Sequence, residues 1–269
     1  MGGRGSTLAF KHTQEDDNIL NLGNPNINVD WNDPESDYHS KIFNELKKNK
    51  ISTRKSTDDI DDKVLERQQK QVLNLSNKYK KILKNTTIAA DIQFGSEKLT
   101  GGTLGYCAAT LDNNGELIQR ICLDKRQLSN YDKVVKSVTS GVTSGHFVPI
   151  NTMFKSRDYL ITHELGHAVE NSIITKIAKS RKIDLKFSTS QTFGRIEKEI
   201  FNDVIKIFQN HYQNIKRKDK IYLSKYSTSN NAEWFAETFT NLQLSDNPEP
   251  IARALEEYLR RYKWEFIIL

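Results

Sequence analysis

From Val64 to Leu83 the apolar residues Val64, Leu65, Val72, Leu75, Tyr79, Ile82 and Leu83 recur largely at helical spacings. That period predicts an amphipathic helix over about 59–84. The pattern then turns to strands. "TTIAADIQF" (86–94) ends at Gly95, and "TLGYCAATL" (103–111) and "ELIQRICLD" (116–124) flank the turn "DNNG", a strong hairpin signal. A short helix is expected near 131–138. A loop follows, punctuated by Gly141, Gly145 and Pro149, and the next helix is expected to start near Ser156 as N-cap, with Asp158 in its first turn. Residues 194–215 carry Ile196, Ile200, Val204, Ile207, Phe208 and Ile215, another amphipathic helix. Residues 227–244 open on the cap formers Ser and Asn and read as a further helix; "DNPEP" breaks the chain before a last one, "IARALEEYLRRY". No internal repeat interrupts this order. A helix, a small, mostly antiparallel sheet and then a mainly helical C-terminal half predict an α+β fold.

Residues 1–57 do not share the patterning. They are rich in Asn, Asp, Ser, Lys and Gly, with isolated Trp31 and Phe43, so they are expected to form a largely disordered polar arm with one short helix at 38–48. The expected organisation is that arm, the amphipathic helix of 58–85, and one domain over 86–269.

Composition excludes some functions and leaves others open. No run approaches 18 consecutive apolar residues, so no transmembrane segment is expected. The opening "MGGRGSTLAF" lacks the apolar core of a secretory signal, so a cytoplasmic location is expected, with virion association an expectation only through the resemblance described below; Gly2 and Ser6 do fit the N-myristoylation pattern. Cys107 and Cys122 fall on neighbouring strands of the hairpin and are expected to be reduced structural thiols. The net charge of +6 gathers at 46–50, 78–84 and 215–220, but no aromatic residues interleave these runs in the manner that stacks bases, so nucleic acid is not the expected partner.

The candidate chemistry lies in "YLITHELGHAVE" (159–170). Residues four apart share a helical face, so His163 and His167 can offer imidazole nitrogens to one ion while Glu164, offset by one position, stands as general base. Gly166 leaves room for close approach of a second backbone. A catalytic zinc takes three protein ligands and keeps one open position. The third is not a histidine six residues on, because position 173 is Ile. "NAEWFAE" supplies Glu233 as ligand and, four residues later on the same face, Glu237 to accept a hydrogen bond from the far nitrogen of His163. Glu170, on the histidine helix, is the rival third ligand. His146 can line the same cleft from its glycine-flanked loop; His12, His39 and His211 belong to no constellation.

"THELGHAVE" followed by "KYSTSNNAEWFAETF" resembles the catalytic domain of the anthrax lethal factor family of gluzincin metallopeptidases. It is also similar to zincin-like proteins of bacterial prophages, often found beside head-morphogenesis genes. The resemblance spans about residues 86–262 and is concentrated in those two blocks. It implies a zincin-like fold, with the sheet packed on a metal-binding helix, and Zn2+ held by His163, His167 and Glu233. It implies Glu164 as base and Tyr226, seven residues before Glu233, as donor to the oxyanion. The separation of 66 positions between His167 and Glu233 exceeds that of compact gluzincins, so the intervening helices would pack as an insertion.

The expected function is therefore zinc-dependent peptide-bond hydrolysis, with the substrate, a protein or peptide, extended along an edge strand, either 103–111 or 116–124. The alternative expectation is a structural head-assembly protein whose partners are phage virion components and whose zincin domain is inactive or merely structural.

Overall fold

A computed structural model describes residues 52–53, 62–83, 87–90, 104–111, 117–124, 131–150, 153–183, 190–212 and 221–265. The expected helix at 38–48, the Gly2 and Ser6 pattern and the basic run at 46–50 lie outside them. So does the polar arm, apart from Ser52–Thr53, which form a short strand, β1.

Helices dominate. The first amphipathic stretch is two helices, α1 (Asp62–Lys78) and α2 (Lys80–Leu83), separated at Tyr79, where Ile82 N–H bonds the Tyr79 carbonyl three residues back. Its apolar face is as the spacing predicts: Val64, Val72, Leu75, Tyr79, Ile82 and Leu83 are all buried. β2 (Thr87–Ala90), β3 (Gly105–Leu111) and β4 (Leu117–Leu123) join β1 in a four-stranded sheet of order β1-β2-β4-β3. The expectation of a mostly antiparallel sheet is not met. Only the β3–β4 hairpin is antiparallel, whereas β1–β2 and β2–β4 run parallel. β2 pairs with β4 rather than with its chain neighbour β3, so it forms no second antiparallel hairpin. Cys107 pairs with Ile121 and Cys122 with Tyr106, so the two cysteines are not opposite each other, and Cys107 is a free, buried thiol. Leu117, Gln119, Ile121 and Leu123, every second residue of β4, are buried and share one face of the sheet.

The C-terminal part consists of α3 (Tyr131–Thr143), the single turn α4 (Met153–Ser156), α5 (Tyr159–Ser180), α6 (Ser190–His211), α7 (Asn231–Leu244) and α8 (Pro250–Glu265). α5 begins two residues later than expected, its N-cap position at Asp158 rather than Ser156. Ser156 ends α4, and Asp158, at the N-cap position, makes no side-chain cap. Its carboxylate is taken instead by the Arg67 guanidinium through two bonds of 2.7 Å that tie α1 to the start of α5. Such planar two-point pairing is strong enough to compete with a local cap.

α5 is the centre of the molecule. It packs against β3, β4, α1, α2, α6 and α7, and nearly every residue from Tyr159 to Ala178 is buried. A helix apolar on one stripe lies at a surface; one buried all round must satisfy its polar groups internally. Gln119 does so on the sheet side, donating to the Ala168 carbonyl (2.8 Å) and to Ser172 Oγ (3.0 Å) and accepting from Asn171 Nδ2 (3.1 Å). α7 packs against α5 and carries the buried Phe235 and Phe239, each worth about 1.5–3 kcal/mol of burial. No helix among the described residues is long and apolar enough to cross a membrane.

Candidate metal centre

Two helices supply the converging groups. His163, Glu164 and His167 stand on α5 and Glu233 and Glu237 on α7, all buried. Asn230 caps α7 by accepting the Glu233 backbone N–H (2.8 Å), which secures the first turn around Glu233. The helices approach closely where Gly166 faces Ala236: an ideal Cβ on Gly166 would meet the Ala236 Cα at 3.0 Å.

One nitrogen each from His163 and His167 and one oxygen of Glu233 lie within 4.8 Å of one another. His163 Nε2 is 3.1 Å and His167 Nε2 3.5 Å from the same Glu233 oxygen, Oε2. The two rings stand nearly perpendicular, 4.9 Å apart. Among the described residues this is the group able to hold a metal ion, and Glu170 is not in it. Glu170 is buried further along α5, where burial and the charges of Glu197 and Glu233 raise its pKa well above the carboxylate range.

Glu237 receives four hydrogen bonds. His163 Nδ1–H (3.0 Å) and the Tyr159 hydroxyl (2.7 Å) donate to Oε1; the Val148 N–H (2.9 Å) and the Ser224 hydroxyl (2.7 Å) donate to Oε2. Because Glu237 holds the Nδ1 proton, a neutral His163 presents a bare Nε2 lone pair to the Glu233 carboxylate. Two acceptors at 3.1 Å require a proton or a cation between them. Burial would lower the His163 pKa, but the bonds and charges of Glu233 and Glu237 outweigh it and raise it well above the ordinary value. Glu233 shows the reverse balance: burial pushes up, while His167 and His163 hold the carboxyl far below its usual range. Two imidazole nitrogens and a buried carboxylate, with one histidine oriented by a second carboxylate, make a donor set that could hold a metal ion.

Glu164 lies beside this group without joining it. Its Oε2 is buried with no hydrogen-bond partner, and burial raises its pKa to about 6 against the opposing pull of His163 and His167. His167 Nδ1 is likewise buried and unpartnered. Tyr226 sits on a 3-10 turn (Tyr226–Thr228) just before α7, its ring stacked on His163 at 5.7 Å. Burial, then the charges of Glu233 and Glu164, raise its pKa, so the hydroxyl keeps its proton. The half-buried Tyr226 ring meets the exposed His146 ring at 5.3 Å.

All the expected site residues, His163, Glu164, His167, Tyr226, Glu233 and Glu237, are thus assembled in one place. His146 stands at the rim, and His211 lies apart on the surface, paired with Glu257 at 3.1 Å. Pattern reading missed Tyr159, Ser224 and the Val148 N–H. Tyr159 lies four residues before His163 on the same face, a signal that was legible; Ser224 and Val148 offered none. A groove of about 690 Å³ along α3, lined by Asp132, Lys136, Thr139 and Thr143, contains none of these groups.

Comparison with family models, with curated proteins and with solved structures returns no match for this chain.

Proposed function

We propose that this chain is a zincin-like, zinc-dependent metallopeptidase of the gluzincin type, as its resemblance to the lethal factor family implies. The observation that carries the reading is Glu164. A metal used only to staple α5 to α7 needs His163, His167 and Glu233, and gains nothing from a second buried carboxylate with an empty oxygen. An unmet buried acceptor costs about 1–3 kcal/mol, and more when charged. A pKa of about 6 places that group where a general base operates at neutral pH.

Bound between the three ligands, zinc supplies Lewis acidity and lowers the pKa of water toward neutrality. Glu237 fixes the His163 tautomer so that Nε2 faces the ion. Glu164 takes a proton from the attacking water and returns it to the leaving amine. Tyr226, which stays protonated, donates to the oxyanion as the carbonyl carbon becomes tetrahedral. Of the two hairpin strands, β4 is paired on both sides, whereas β3 has one partner among the described strands. β3, which packs on α5, is therefore the edge to which an extended peptide adds.

The test is a peptide-library digest with zinc-loaded wild-type protein and with Glu164→Gln, alongside metal analysis of both. The wild type should cut and the variant should hold zinc without cutting. Equal turnover by the two, or turnover indifferent to chelator, overturns the proposal.

A further inference from the structure

We infer that Ser224 is a positioning residue that ties the turn carrying Tyr226 to the carboxylate orienting His163. Its hydroxyl is used at both ends. The proton goes to Glu237 Oε2 at 2.7 Å, and the oxygen accepts the Ser227 backbone N–H at 3.0 Å. Ser227 answers in kind: its Oγ accepts the Ser224 N–H at 3.1 Å and donates to the Ser224 carbonyl at 2.7 Å. These reciprocal bonds close the turn in which Tyr226 sits, and the Ser224–Glu237 bond anchors that closed turn to α7. Both serines are buried, so water does not replace a lost bond readily.

The same turn is held from outside. Lys225 N–H and Tyr226 N–H donate to the Gly145 and His146 carbonyls at 2.9 and 3.0 Å, and Trp234 Nε1–H donates to the Ile221 carbonyl at 2.8 Å. Those contacts place the segment near the centre. Ser224 is the side chain that links its position to Glu237, and through Glu237 to His163 Nδ1. One hydroxyl therefore couples a ligand histidine to the oxyanion donor. The inference rests on the metallopeptidase reading for its catalytic consequence, but its first consequence is metal affinity, which is measured without any substrate.

Zn2+ affinity, by competition with a chromophoric chelator, and the absorption spectrum of the Co2+-loaded protein are compared for wild type, Ser224→Ala and Ser227→Ala. Ser224→Ala should weaken zinc severalfold and alter the cobalt spectrum, a smaller loss than the about 10–100-fold that follows removal of a ligand's own partner, because Ser224 acts through Glu237. Ser227→Ala loosens the turn without removing a bond to Glu237; its zinc affinity should stay within about twofold while peptide turnover falls. Ser224→Thr keeps the hydroxyl and should bind zinc as the wild type does, which keeps the test open if the alanine variant folds poorly. Wild-type zinc affinity and spectrum in a folded Ser224→Ala, or an equal loss in Ser227→Ala, overturn the inference. Tighter zinc in wild type than in Ser224→Ala, with no peptide cut by either, sinks the peptidase reading and leaves this one standing. A wild type that binds no zinc sinks both.

Discussion

Gly166 of α5 faces Ala236 of α7 so closely that a Cβ on the glycine would sit 3.0 Å from the Ala236 Cα and 3.3 Å from the Phe239 ring. Gly166 lies three residues after His163 and one before His167, while Ala236 lies between Glu233 and Glu237. This close approach of the two helices therefore lies beside the point at which His163, His167 and Glu233 converge.

Gly166→Ala opposes two effects. Alanine gains about 1 kcal/mol of helix propensity. The added methyl meets helix backbone, which cannot swing aside, and overpacking of this kind costs about 1–3 kcal/mol. The clash should win. The variant should unfold at lower urea concentration and bind zinc more weakly, because separating α5 from α7 draws Glu233 away from both histidines. Urea titration and a zinc competition assay check this; a more stable variant with unchanged zinc affinity would show that the helices part without cost.

Glu237→Ala should be among the most damaging single changes in the chain. It strips the acceptor from His163, Tyr159 and Ser224 together and one of two acceptors from the Val148 N–H. Leaving even one buried donor unmet costs about 1–3 kcal/mol, so the metal-free variant should lose about 3 kcal/mol or more. Denaturant unfolding of the two metal-free proteins measures it. A loss under about 1 kcal/mol would mean that water or a rearranged side chain meets those donors.

Metal removal should destabilise the wild type and leave Glu233→Ala unaffected. A ligand at about a thousand times its dissociation constant stabilises the folded state by about 4 kcal/mol. Chelator should accordingly lower the thermal midpoint of zinc-loaded wild type by several degrees. Glu233→Ala lacks the carboxylate ligand and should show no shift. A chelator response of equal size in both proteins would exclude Glu233 as a ligand.

Turnover should follow the ionisation of Glu164. A general base acts as the carboxylate, so kcat/KM should rise with pH and level off once Glu164 is ionised. Burial sets that pKa at about 6 in the metal-free protein. A nearby cation favours the charged form, so in the zinc-loaded enzyme the midpoint should lie at or below that value. A pH–rate profile on a library-derived peptide checks the sign. Activity that declines as pH rises from 5 to 7 would assign the essential group to another residue.

Much of this was legible along the chain because the relevant rules are local. The spacing from Val64 to Leu83 predicts the buried face of α1 and α2, and the "DNNG" turn predicts the β3–β4 hairpin, whose register pairs Leu111 with Leu117. The four-residue step places His163 beside His167, and the same step places Glu233 beside Glu237. Where expectation failed, a distant partner outcompeted a local one. Asp158 stands at the head of α5 yet serves Arg67, 91 residues away. The sheet is mixed because β2 pairs with β4 rather than with β3.

The helical repeat alone thus specified two pairs of chemically apt side chains and the faces on which they stand, since a turn of about 3.6 residues brings positions four apart onto one face. That repeat is silent about whether the two faces ever meet. Their meeting rests on the missing Cβ of Gly166 and on the Glu237 carboxylate, which gathers donors from positions 148, 159, 163 and 224. Those groups become neighbours through packing, because a buried charge must find its partners wherever the folded chain brings them.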